Sequence, residues 1–164
     1  MIEMRVEGLK EMVELLKTLP SEIVSRRGGP VRRALRRAAY VILRQEEINL
    51  QKVIDETAAR QGNTESIGLL KKSLVVTRGK PPFDGKGERY LVRVKPNRYP
   101  RATPETVSTL KSAQLLEYGR VHQPPRPWIR AAYLQKQDEA RRVFEDSLRR
   151  AIAQLIAQKR QGRI

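Results

Sequence analysis

Residues able to do covalent or metal chemistry are sparse in this sequence. The 164 residues include one histidine and no cysteine, which excludes thiol nucleophiles and disulfides and nearly excludes His/Cys metal sites. His122 stands alone in a proline-rich stretch, and a packing or polar contact is a simpler role for it than that of a general base. Two adjacent carboxylate pairs occur, Glu46-Glu47 and Asp55-Glu56. Neighbouring residues on a helix do not face each other, so neither pair makes a two-carboxylate site alone. Gly28-Gly29 and Gly85-Lys86-Gly87 fit no phosphate-loop frame. The second, with Lys80, could hold a phosphate through backbone amides, but turn formation explains its glycines equally well. The chain is therefore expected to be no enzyme and to carry no cofactor and no metal.

Charge is the strongest compositional feature. Thirty-four Lys and Arg against 18 Asp and Glu give a net charge of +16. A chain this basic meets an anionic partner: nucleic acid, an anionic membrane or an acidic protein surface. Residues 26–44 hold seven arginines and no acid, whereas a solvated helix face usually mixes signs. Residues 71–101 hold ten basic residues and two acids. Arg32, Arg33, Arg36, Arg37, Lys80, Lys86, Arg93 and Lys95 are thus the candidates to contact double-stranded DNA or an acidic partner. Aromatic residues make up only 5% of the chain, which gives base stacking little support. Helix-turn-helix punctuation, zinc ligands and an RNP-like aromatic pattern are all missing. Nothing approaches the ~18 consecutive apolar residues of a membrane span. Residues 1–14 mix charged and apolar side chains, so no signal peptide is expected.

The elements that would carry these charges follow from periodicity. Residues 2–7 alternate apolar and charged side chains and predict a short strand. Leu9, Met12, Val13, Leu16 and Leu19 predict an amphipathic helix closed by Pro20. After the breaker Gly28-Gly29-Pro30, a long helix is expected over 31–57. Its stripe is Val31, Leu35, Ala38, Ala39, Ile42, Val53 and Ile54, with Ala34, Val41 and Ile48 on an adjacent face. A further helical turn is expected over 64–72, capped by Thr64 or Ser66. Residues 74–77 and 90–95 read as two paired strands, joined by a Gly/Pro-rich, basic hairpin loop that could protrude. Helical steps at Leu110, Ala113, Gln114 and Glu117 mildly favour helix over strand for 108–118. The clearest helix is 131–158, with Ala140, Phe144, Leu148, Ala151, Ile152 and Leu155 as its stripe. Phe144 and Leu148 are expected on its buried face. Together these predict one α+β domain over 1–158: a small antiparallel sheet packed against two long helices and a shorter N-terminal helix. A frayed basic tail over 159–164 completes the chain.

Residues 115–132 concentrate the rarest side chains. They hold the single Trp, the single His and three of the ten prolines. Gly119 can take φ > 0 and end an element, and Pro124 and Pro125 favour an extended path. Two readings of this rigid arm are open. Trp128 plugs the chain's own core as the last helix starts, or the arm and its flanks contact a neighbouring subunit. The second makes Glu117, Tyr118, Arg126, Pro127, Trp128 and Arg130 interface residues, in keeping with the weight of Trp, Tyr and Arg in interface hot spots.

The sequence L-L-E-Y-G, a polar gap, then P-P-R-P-W-I-R-A-A resembles the signature of the tail-completion (neck) proteins of long-tailed bacteriophages, a family that includes the minor tail protein Z of phage lambda. The matching positions are Leu115, Leu116, Glu117, Tyr118, Gly119, Pro125, Arg126, Pro127, Trp128 and Ala132. Residues 6–12, 34–39 and 68–74 resemble the family's opening, second helix and central element. Trp128 stands where Phe is commoner, and the insert-like 80–106 region is a departure. The resemblance implies a homo-oligomeric ring, a hexamer, between the head-completion proteins and the tail terminator, through which the genome passes. It also implies a virion protein assembled in the cytoplasm of the bacterial host. The alternative is a free-standing basic nucleic-acid-binding protein, which the charge alone would favour.

Overall fold

A computed structural model describes residues 29–61, 65–80, 88–100 and 108–160. The elements in order are α1 (Pro30–Gln61), α2 (Glu65–Lys72), β1 (Leu74–Arg78), β2 (Tyr90–Val94), α3 (Thr109–Tyr118) and α4 (Ile129–Arg160). The expected N-terminal strand and helix, the hairpin tip with Lys86, the proposed cap Thr64 and residues 161–164 lie outside the described residues, while Ser66, the other proposed cap, lies within α2 rather than ahead of it. The last helix continues through Arg160, two residues into the stretch expected to fray.

Two long helices dominate. Pro30 opens α1, where its missing N–H is no loss and its fixed φ suits a first turn. The helices run antiparallel. Ala34, near the start of α1, packs with Leu148 and Ile152, late in α4. Asn49, one third of the way from the other end of α1, donates to the Trp128 carbonyl just before α4 begins, 3.2 Å away. Among the described residues the sheet is one antiparallel pair in the register Leu74↔Val94 to Arg78↔Tyr90, and it lies against α1. Side chains alternate along β2: Val94 is buried and Tyr90 and Val92 are half-buried, while Leu91 and Arg93 face outward. This is an α+β fold, mostly helical, with a small sheet on long helices.

The main core gathers Leu43, Leu50, Val53 and Ile54 of α1 with Leu70, Leu74, Val94, Ala113 and Trp128. A second, smaller core sits between the far halves of α1 and α4, and Phe144 packs against it only half-buried. Ile48 and Leu110 are exposed. Ile48 stands roughly 140° around the helix from Leu43, and the face that meets both the sheet and α4 is centred on Leu43 and Leu50. In α3 the buried row is Thr109, Ala113 and Glu117, which turns Leu110 outward.

A polar joint ties the sheet to α3. The fully buried Thr109 hydroxyl accepts from the Asn97 N–H at 2.9 Å and donates to the Lys95 carbonyl at 2.7 Å. The Asn97 amide donates in turn to Ser73 Oγ at 2.8 Å, and Ser73 Oγ donates to the Leu69 carbonyl. Ser108 caps α3, accepting from the Lys111 N–H. These bonds fix where α3 starts, and so where its far end delivers Glu117.

Candidate functional site

The corner between α3 and α4 contains the stretch that sequence reading singles out. Its path is set by Gly119, at φ 76°. The Gly119 N–H donates to the Leu115 carbonyl at 2.9 Å and closes α3. A Cβ there would lie 2.7 Å from the Gln123 carbonyl oxygen and 2.8 Å from the Pro125 nitrogen, so both conformation and space require glycine. Arg120 and Gln123 exchange backbone bonds across a tight turn whose tip, Val121 and His122, is exposed. The prolines then run back beside α3. The Arg126 N–H reaches the Leu116 carbonyl at 2.8 Å, and the chain enters α4 at Trp128.

Glu117 closes the corner. Its carboxylate accepts from the backbone N–H of Trp128 (2.8 Å), Ile129 (2.9 Å) and Arg130 (3.2 Å), and from Arg130 Nε at 2.9 Å. These are the unsatisfied donors of a helix N-terminus, capped here by an acid from another element. Burial alone pushes the Glu117 carboxyl up, but these donors outweigh it and hold it below the ordinary range. The Arg130 guanidinium also lies over the Tyr118 ring, 5.3 Å from its centre.

This geometry corrects the interface reading of the motif. Trp128 is 1% exposed and belongs to the main core, and Glu117 is buried as a cap. Both are interior because the arm folds back on α3 rather than projecting. Arg126 is half-buried, and Tyr118, Pro127 and Arg130 remain on the surface. The Trp128 Nε1–H finds no partner among the described residues.

Beside the corner is a groove of about 650 Å3 between α1, β2 and the first turns of α4. Leu35, Ala38, Ala39 and Ile42 form one wall, and the exposed side chains of Leu91, Tyr133 and Leu134 edge it. Tyr133 is 56% exposed and Leu134 67%. The lining includes one carboxyl, Glu46, which is 3% exposed. Burial, and then the charge of Glu117, raise its pKa to about 7. Sequence reading set Glu46 aside as half of an adjacent pair. The overlooked signal is its position between Leu43 and Leu50 on the apolar face of α1.

The basic candidates divide. Arg32 is taken by an ion pair, its Nε 2.6 Å from Glu88, which also binds Arg78 at 2.8 Å. This corrects its assignment to a partner-facing role: its side chain is only 16% exposed. Arg33, Arg36, Arg37, Lys80, Arg93 and Lys95 are exposed. The Arg36 guanidinium lies 5.6 Å from the centre of the Tyr40 ring.

Among the described residues no cluster of His, Cys, Asp or Glu could hold a metal ion, and no helix is long and apolar enough to cross a membrane. Comparison with family models, with curated proteins and with solved structures gave no match.

Proposed function

We propose that this chain is a structural subunit of the neck of a long-tailed bacteriophage. In this reading it assembles in the host cytoplasm into a hexameric ring that joins the head-completion proteins to the tail terminator and lets the genome pass. The supporting observation is the groove rimmed by Tyr133, Leu134 and Leu91, an exposed apolar surface on a chain of net charge +16. Large apolar side chains gathered at one exposed site mark a contact surface. The family resemblance of residues 115–132 supplies the setting. That motif serves the fold, building the corner that holds one wall of the groove. Light scattering and negative-stain imaging of the purified protein test the reading. A closed ring is expected, and a monomer at all concentrations would overturn it.

A second reading is favoured by Arg33, Arg36 and Arg37, exposed on a segment with no acid from Val31 to Gln45. As a free-standing nucleic-acid-binding protein, the chain would hold duplex DNA as a monomer. Affinity would fall with salt at a log–log slope of about −0.9 per phosphate neutralised. Salt-insensitive binding between roughly 50 and 200 mM, or none, turns the charge toward acidic neighbours in the neck.

A further inference from the structure

The groove contains a buried carboxyl, Glu46, with no cationic partner among the described residues. Arg130, which also lines it, is already paired with Glu117. No described side chain forms an ion pair with Glu46, and the remaining lining of α1 is apolar. A carboxyl in such surroundings is satisfied by a cation that brings its own apolar stem, as lysine does.

The chain's own sequence contains that complement. Residues 9–19 lie outside the described residues, and their pattern predicts a helix with Leu9, Met12, Val13, Leu16 and Leu19 on one stripe. Lys10 and Lys17, one heptad apart, border the same edge of that stripe. The lengths agree. At 1.5 Å per residue such a helix is about 15 Å long, and the α1 wall from Leu35 to Glu46 is about 16 Å. The small Ala38 and Ala39 in that wall allow a helix to approach closely.

We propose that residues 9–19 of one subunit seat in the groove of the next, with Lys10 or Lys17 meeting Glu46. The inference rests on the ring reading above. A ring is built from head-to-tail contacts between two unlike surfaces, and the groove and this segment are such a pair. Repeated around the ring, the contact buries every groove and leaves no apolar rim exposed. The raised pKa of Glu46 in the single chain fits a site that is completed only by a partner's cation.

The absence of cysteine makes the test clean. The Leu16→Cys/Leu134→Cys protein, and the Met12→Cys/Leu134→Cys protein as a second register, are oxidised and run on a non-reducing denaturing gel. A ladder of linked multimers from a double variant is expected, with single variants stopping at dimers. In parallel, Glu46→Gln and the Lys10→Gln/Lys17→Gln pair should each weaken assembly measured by light scattering, on the order of tenfold or more. Near-UV circular dichroism checks that each variant is folded. A cross-link confined to the monomer band gives the segment to its own groove and overturns the proposal. Absence of any cross-link while light scattering still finds the ring overturns it too, and leaves the ring reading standing. A protein that is monomeric and uncross-linked throughout overturns both.

Discussion

Glu117 and Glu46 are buried to the same degree, 3% exposed each, and their protonation is driven in opposite directions. Burial is the largest influence on both and raises both. At Glu117 three backbone N–H groups and the Arg130 side chain reverse it. At Glu46 no described residue does, and the charge of Glu117 adds to the penalty, giving a pKa of about 7. Shielding from solvent alone therefore does not decide whether a carboxyl is charged. What decides it is the number of donors aimed at it. The first acid is satisfied by donors within the fold, and the second has none among the described residues.

Removing the finished acid has the largest effect. Glu117→Ala strands three backbone N–H groups at the start of α4, at a cost of roughly 3–5 kcal/mol if each stranded donor costs about 1–3 kcal/mol and water recovers part of it. Urea titration of the monomer measures it, and a loss under about 1 kcal/mol would mean that water replaces the cap. The next effect is of opposite sign. Glu46 has a folded pKa above its unfolded value, so the monomer loses stability as pH rises from the ordinary carboxylate value through about 7, and not beyond. Glu46→Gln should remove that slope, stabilising the monomer at pH 8 by on the order of 3 kcal/mol and leaving it unchanged near pH 4. Glu117, held low, contributes stability that is present above its unfolded pKa and lost as pH falls through its folded one. A stability profile with both limbs, the upper one absent in Glu46→Gln, sharpens the comparison. A profile flat above pH 5 breaks it. Gly119→Ala comes third, at roughly 1–3 kcal/mol, because it both forces a left-handed φ and crowds Gln123, shifting the corner that aims Glu117. Arg130→Ala is the smallest. Its side chain is 60% exposed, so the ion pair is screened and thermal melting should register under about 1 kcal/mol.

Much of the scaffold was legible in the sequence. Strict alternation placed β2, repeating apolar residues placed α4, and Pro30 marked the start of α1. These signals are local and need no knowledge of what packs where. Periodicity says that a helix has an apolar face, but neighbours decide where that face is centred, and Ile48 and Leu110 fall outside it. The role of Glu117 was hidden for a related reason. A helix cap is normally sought one residue before the helix, and here it arrives from another element, 12 residues before Ile129. Trp128 could be core or interface until the direction of the proline arm was known. That direction turns on one left-handed glycine and one bond, from the Arg126 N–H to Leu116. Glu46 stood in plain view on the apolar face, but nothing in a sequence says that a buried acid lacks donors.

The contacts that build the α3–α4 corner span only 10 to 13 residues, from the Arg126–Leu116 bond to the Arg130–Glu117 pair. A loop that short closes in about 10–100 ns in an unfolded chain, and its two central prolines have little backbone freedom to lose. The packing of α1 on α4 must instead join residues more than a hundred positions apart, as Ala34 and Leu148 show. The order of events in folding follows from these two separations: the corner forms early and the long helices zip afterwards. Kinetics can see this. Gly119→Ala should slow folding while barely changing the unfolding rate, and Leu148→Ala should do the reverse.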